Sequence, residues 1–299
     1  MCCYKRNGGR PWPAAISNKE LFMEKSHSEA ATRIMTGIII AIVICVVLLF
    51  SHIPYVLNTA TAFLCIGSIR ELHHATFQKK TAWLTAVCCV TALIFMYFPI
   101  KAYGRMLAAM FPIGVLLFIN LMGQIGKADR IHAETSLCIT LVMIMFFRAI
   151  IEIRSLNQGF FLLAAAILIG CVTDIGAYEI GKRFGKHKLA PKLSPKKTIE
   201  GAVGGTATAF VVLMSVSAIF EKAGLFTVNY LTLSCFIILA SIIGQFGDLA
   251  MSSIKRISGI KDFSSFMPGH GGFLDRFDSL LLIAPFTCLF CRYIGILYC

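Results

Sequence analysis

Nine apolar stretches separated by short polar segments leave this chain few ways to fold. They are Ile34–Phe50, Tyr55–Ile69, Ala82–Phe98, Met106–Ile125, Ser136–Ile151, Phe160–Ile180, Ala202–Phe220, Tyr230–Asp248 and Phe273–Leu297. A helix that crosses a bilayer needs about 20 mostly apolar residues. Inside lipid, only helices and closed barrels satisfy their own backbone. No two-residue alternation runs through these stretches, and no internal repeat is evident, so helices are expected. Composition agrees: 57% of the 299 residues are hydrophobic and 14% charged, against about 25% charged in soluble domains. The mean hydropathy is +0.78. The expected fold is all-α, a polytopic transmembrane bundle of about nine spans. The first two spans are short and separated only by SHIP, Ser51 to Pro54, which fits a tight hairpin.

Residues 1–33 form a polar, basic segment without an apolar core or a small-residue cleavage site, so no secretory signal is expected there. Residues 34–299 are read as one transmembrane catalytic domain. The formal charge of +13 would suit nucleic acid, but basic cytoplasmic loops explain it better, and no nucleic-acid partner is expected. With the N-terminus inside, 22 of the 28 Lys and Arg residues fall on the cytoplasmic side. Lys101, Arg105, Arg148, Arg154, Lys222 and Arg292 remain on the other. That asymmetry fixes the expected orientation, with the lipid bilayer as permanent partner. The segment GKRFGKHKLAPKLSPKK, Gly181 to Lys197, holds seven of the cytoplasmic charges. So dense a cluster beside a membrane suits anionic headgroups or a polyphosphate.

The twelve cysteines do not read as a disulfide framework. Most lie within apolar runs, where cysteine acts as a small hydrophobe. The CxxC of Cys288 and Cys291 has no ligand partners nearby in sequence.

Acidic residues are few, yet several sit at the cytoplasmic ends of spans: Asp174 and Glu179 late in the sixth, Asp248 closing the eighth, Asp275 and Asp278 opening the ninth. A charge at mid-span costs about 2.5–3.5 kcal/mol. Singly, each acid would serve as a marker of the water interface, and Asp275 and Asp278 would also favour a helix N-terminus. Together, beside a phosphate-binding loop, they suit a divalent metal. Mg²⁺ takes one or two carboxylates plus substrate phosphates, and acids would repel those phosphates without a metal between them. Asp275 and Asp278 are three apart and share a helical face. The glycines of PGHGG, Pro268 to Gly272, turn the chain into a helix and would leave backbone N–H groups for a phosphate; an ordinary Pro-Gly turn is the plainer reading.

The stretch SIKRISGIKDFSSFMPGHGGFLDRFDS, Ser253 to Ser279, closely resembles the signature of phosphatidate cytidylyltransferases, the CDP-diacylglycerol synthases. TDIGAYEIGKRFGKHKLAPKLSPKKTIEGAVGG, Thr173 to Gly205, is similar to that family's other strong motif. GQFGDL, Gly244 to Leu249, fits the approach to the signature. These motifs occupy roughly the C-terminal 40% of the chain, in blocks 173–205 and 244–279. The resemblance implies a membrane enzyme of phospholipid synthesis that converts CTP and phosphatidate into CDP-diacylglycerol and pyrophosphate. It also implies Mg²⁺, with K⁺ in some members, and a homodimer. Its localisation would be the cytoplasmic membrane or its equivalent, with the active site facing the cytosol.

On the matching positions, the resemblance places metal ligation on Asp248 and Asp275, with Ser252 and Ser253 as polar neighbours. Lys182, Lys196 and Lys197 are expected to cradle phosphates, and Lys255, Arg256, Lys261 and Arg276 are further cations; Arg276 is the one expected to be held by an aspartate. His270 belongs to the catalytic motif. Asp174, Ser194, Thr198, Glu200, Gly271, Gly272 and Asp278 complete the expected substrate site. One departure stands out: Met251 occupies a position before the serines where the family often has an acid. Two other readings compete. One is another CTP-dependent lipid enzyme, a polyprenol kinase or an archaeol-type cytidylyltransferase. The other is a transporter, whose coupling sites would be expected near the bilayer midplane.

Overall fold

The computed structural model describes residues 35–77, 82–99, 101–123, 131, 133–264, 271–294 and 296–298. The N-terminal segment 1–33 and His270 lie outside the described residues. Nine helices appear among those described. They are α1 (Met35–His52, its last turn a 3-10 helix), α2 (Val56–Thr76), α3 (Ala82–Tyr97), α4 (Tyr103–Gly123) and α5 (Ala133–Arg154). Then follow α6 (Gly159–Phe184), α7 (Ile199–Lys222), α8 (Tyr230–Ile257) and α9 (Phe273–Tyr293). Each overlaps one of the nine apolar stretches.

Six of them, α1 and α4 through α8, are long and apolar enough to cross a membrane. The chain is thus a helical integral membrane protein. Helix α3 has only 16 residues, and α2 and α9 carry more polar side chains. That polarity has a place to go. Helix α9 runs through the centre, touching α2, α4, α5, α6 and α8, with Asp275, Asp278, Ser279 and Thr287 all buried. On α2, the buried His73 ring bonds to Thr85 Oγ1 and Thr140 Oγ1, each at 2.9 Å, tying α2 to α3 and α5. Helix α1 touches the bundle through partly buried side chains such as Ile44, Val47 and Leu48 and, at its end, through the buried Ser51, whose Oγ accepts Arg154 Nε at 3.0 Å.

Two short antiparallel pairs interrupt the helices, which the apolar pattern did not anticipate. Strands β1 (Lys188–Ala190) and β2 (Ser194–Thr198) pair within the basic segment. Strands β3 (Thr227–Val228) and β4 (Leu297–Tyr298) pair elsewhere. None exceeds five residues, too short for an alternation to register in sequence.

Glycine brings α6 and α7 together. A Cβ on Gly201 would lie 2.7 Å from the Ala177 carbonyl oxygen, so only glycine fits. A hydroxyl and amide seam then joins α6, α7 and α8. Ser241 Oγ lies 3.0 Å from both Thr173 Oγ1 and Thr206 Oγ1, and Gln245 Nε2 donates to Ala202 O at 3.2 Å.

Candidate active site

The basic segment does not hang free. Helix α6 continues through Lys182, and β1–β2 folds back so that Thr198 caps α7, its Oγ1 accepting the Gly201 N–H at 3.1 Å. Helix α8 runs nine residues beyond Asp248, because the buried side chains of Leu249, Ala250, Met251, Ile254 and Ile257 keep an apolar face. Asp248 was expected to close its span; it lies instead more than two turns inside the helix. Asp248 therefore lies below the end of α8, in the lining of a cavity of ≈ 670 Å³ built from α6, β1, β2, α7, α8, α9 and the segment after α8.

Six cations line this cavity: Lys182, Lys188, Lys196, Lys197, Lys255 and Arg276. Five carboxylates face them: Asp174, Asp248, Asp262, Asp275 and Asp278. Residues some hundred positions apart in sequence thus meet in one place. Lys188 and Asp262 had not been singled out in sequence. Thr198 and Tyr178 also line the cavity, with Lys182 Nζ 5.8 Å from the centre of the Tyr178 ring.

The carboxylates divide by what they touch. Asp275 is buried and heavily engaged. Its Oδ1 accepts Lys255 Nζ at 2.7 Å, and its Oδ2 accepts the N–H groups of Phe263 at 2.9 Å and Gly272 at 3.0 Å. It therefore caps α9 from within, a residue at N3 reaching back to the N-cap N–H. Asp248 pairs with Lys197 and accepts Ser252 Oγ at 3.4 Å. Asp174 and Asp278 share the Ser279 hydroxyl, at 3.3 and 3.4 Å. Arg276 was the cation expected to be held by an aspartate, but Lys255 and Lys197 are the ones so held. Arg276 is exposed at the cavity and makes no ion pair among the described residues.

A carboxylate offers about four acceptor positions. Asp275 has three in use and Asp248 two. Both retain room for one further ligand, which suits an ion that takes few protein ligands and fills its shell with water and substrate oxygens. Among the described residues, no preformed group of three His, Cys, Asp or Glu ligands exists.

Other expected site residues fall elsewhere. Arg256 Nε donates to Leu193 O and its Nη1 to Ile260 O, both at 3.3 Å, pinning the β1–β2 turn against α8. Glu200 accepts the N–H groups of Lys186 and His187 and the His187 ring, Nδ1 at 2.6 Å, fixing the entry to β1. Ser253 Oγ turns back to Ala250 O at 2.6 Å. Ser194 opens β2 opposite Ala190, away from the cavity lining, and Lys261 is exposed outside it. Glu179 pairs with Arg183 at 3.2 Å on the outer face of α6. Met251, the departure from the pattern that the resemblance implied, is fully buried in the apolar core.

Of the glycines of PGHGG, the described Gly271 and Gly272 serve the fold. Gly271 has φ +83°, a left-handed conformation that side chains disfavour. A Cβ on Gly272 would collide with the Glu71 carboxylate. Glu71, on α2, is the residue sequence reasoning missed. Buried, it accepts Phe273 N–H at 3.0 Å, Leu274 N–H at 2.9 Å and Ser264 Oγ at 2.6 Å. Among the described residues, the N–H groups of Gly272, Phe273 and Leu274, which would have been open to a phosphate at the start of α9, are thus taken by two carboxylates of the chain. The sole sequence signal for Glu71 was one of the chain's few acids, set in the polar run Arg70 to His74 that follows the second apolar stretch.

Comparison with known proteins agrees with this assembly. The model of the cytidylyltransferase family matches residues 31–294. The phosphatidate cytidylyltransferase of Bacillus subtilis is 32% identical over 265 residues, 85% of this chain and 94% of that protein. Proteins of the same name from Staphylococcus aureus and Staphylococcus haemolyticus are 43% and 42% identical over 141 and 129 residues, about half of each chain. A match that runs through every helix of the bundle, and not merely through the two polar motifs, settles the kinship: the chain belongs to the cytidylyltransferase family.

Proposed function

We propose that this protein is a phosphatidate cytidylyltransferase, transferring the cytidylyl group of CTP to phosphatidate and releasing pyrophosphate. The observation that carries the reading is the cavity. It holds more cations than its carboxylates neutralise, sunk among helices where a lipid headgroup and a soluble nucleotide can both arrive. In the reaction, a phosphate oxygen of phosphatidate attacks the α-phosphorus of CTP. A new P–O–P bond forms, and the bond to the β-phosphate oxygen breaks with its electron pair leaving on pyrophosphate. The attacking phosphate is already ionised near neutral pH, so no strong base is needed. The obstacle is repulsion between two anions, and charge neutralisation with positioning supplies the catalysis.

Lys182, Lys188, Lys196 and Arg276 are assigned to the substrate phosphates, since none is consumed by an ion pair among the described residues. Lys197 stands beside Asp248 and shifts between that carboxylate and a bound phosphate. Lys255 holds Asp275 and through it the start of α9, a positioning task. Asp248 and Asp275 would hold Mg²⁺ in their remaining acceptor positions, and Asp174 and Asp278 line the same cavity. When bound, Mg²⁺ would neutralise charge on the triphosphate and on the departing pyrophosphate. K⁺, a homodimer and a cytosol-facing cavity remain parts of the same proposal; the excess of Lys and Arg around the cavity supports that orientation.

The test supplies purified protein with CTP labelled at the α-phosphate and either phosphatidate or a polyprenol. Label is expected in CDP-diacylglycerol with phosphatidate alone, one pyrophosphate released per lipid formed. Phosphorylation of the polyprenol by CTP without label transfer would instead make the chain a kinase.

A further inference from the structure

A lipid substrate poses a geometric question that the polar cavity alone does not answer: its phosphate must reach the lysines while its acyl chains stay in apolar surroundings. Two large apolar hollows exist among the described residues. One, of ≈ 910 Å³, lies between α1, α2, α5, α6 and α9. It shares no lining residue with the polar cavity. The other, of ≈ 720 Å³, lies between α7 and α8 beneath β1. It shares three lining residues with the polar cavity: Leu189, Ala202 and Gln245. Its walls are Val203, Ala207 and Phe210 on one side and Ile242, Phe246 and Leu249 on the other. Val203, at 66% exposure, and Ile242, at 53%, face outward, so the hollow opens on the side of the bundle where lipid lies.

We propose that an acyl chain of the lipid substrate occupies the α7–α8 groove, and that Ala202 and Gln245 form the throat through which the headgroup enters the polar cavity. This rests on the phosphatidate reading above and adds to it a route and a specificity element. The throat suits the polar junction of such a lipid. Gln245 Nε2 donates to Ala202 O and to Thr206 Oγ1, at 3.2 and 3.1 Å, placing an amide and a hydroxyl between apolar groove and lysine-lined cavity. Ala207 lies five residues along α7 from Ala202, about 7.5 Å deeper into the groove. A chain of four carbons ends near the throat, whereas a long chain must pass Ala207. Ala207 is exposed within the groove and outside the apolar core, so a larger side chain there fills the groove without disturbing packing.

The experiment compares dibutanoyl with dioleoyl phosphatidate in the whole protein and in Ala207→Trp. Turnover of dioleoyl phosphatidate by the unaltered protein tests the functional reading by itself; its absence refutes that reading, independently of the groove. Given that turnover, Ala207→Trp is expected to raise KM for dioleoyl phosphatidate at least tenfold while leaving KM for CTP and for the dibutanoyl lipid within twofold. Unchanged use of the dioleoyl lipid overturns the groove assignment, as does an equal loss for both lipids in a variant that unfolds at the unaltered temperature. Should the variant fail to fold, a phosphatidate with a photoreactive diazirine at mid-chain is used on the unaltered protein. Crosslinks to α7 or α8 support the groove, and crosslinks confined to α1 and α2 overturn it.

Discussion

Both ends of α9 bring charge into the bundle, and they treat it in opposite ways. At the C-terminal end, Arg292 reaches Glu152 at 3.8 Å, and Glu152 holds Arg148 at 2.9 Å. Arg148 Nη1 then donates to the carbonyls of Phe95, Met96 and Phe98, closing the end of the short helix α3. All the charge of that cluster is spent on the protein itself. At the N-terminal end, Glu71 and Asp275 are spent in the same way on the first turn of α9. Around them, however, Asp174 and Asp278 and the cations Lys182, Lys188, Lys196 and Arg276 face open space. A buried charge costs several kcal/mol unless it is paired. A closed cluster therefore explains itself by stability, while charge left facing a cavity calls for a ligand. The site is marked by incomplete pairing, not by the presence of charge.

If that contrast is sound, substitutions at the two ends should separate stability from catalysis. The largest effect on the fold is expected from Arg148→Ala, which strips Glu152 of its partner and the α3 carbonyls of their donor. Thermal unfolding in detergent should report a loss of about 3–5 kcal/mol, with turnover per folded molecule unchanged. Lost turnover at intact stability would dissolve the comparison. Next comes Glu71→Gln. One acceptor oxygen becomes a donor facing an N–H group, a cost of about 1–3 kcal/mol, again read by unfolding. The smallest is Lys196→Ala. Removing this one ammonium from the substrate phosphates should raise KM for CTP or phosphatidate about tenfold, equivalent to about 1.4 kcal/mol. Stability should stay within about 0.5 kcal/mol, as for surface substitutions generally.

Much of this could be seen in the sequence. Hydropathy located all nine helices, because lipid imposes a length and a composition that few other folds share. The two polar motifs pointed to Asp174, Asp248, Asp278, Lys182, Lys196, Lys197 and Lys255, which do meet around one cavity, though not to where Lys261 would fall. What the sequence hid were decisions made in three dimensions. Whether a carboxylate faces a cavity or its own helix N-terminus depends on the loop before it, so Asp275 looked like its neighbour Asp278. Glu71 had no motif at all; its role arises because α2 packs beside the start of α9. Arg256 and Glu200 lie inside the motifs yet brace the β1–β2 hairpin, since a basic loop needs anchors as well as ligands. The eighth span was expected to close at Asp248, yet the buried Ile254 and Ile257 carry α8 onward.

The central claim is that Asp174, Asp248 and Asp278, unlike the helix-capping Asp275, serve chemistry and not folding, and Asp248 tests it most directly. It lies in the cavity, is only half-engaged by Ser252 and Lys197, and caps no helix. Formation of CDP-diacylglycerol and thermal unfolding should be measured on the same preparations of the unaltered protein and Asp248→Asn. The account predicts a fall in kcat/KM of about 10²–10³ or more, the scale for losing a preorganised electrostatic group, with the unfolding transition preserved. Near-normal turnover in the variant, or activity and stability falling together, would contradict it.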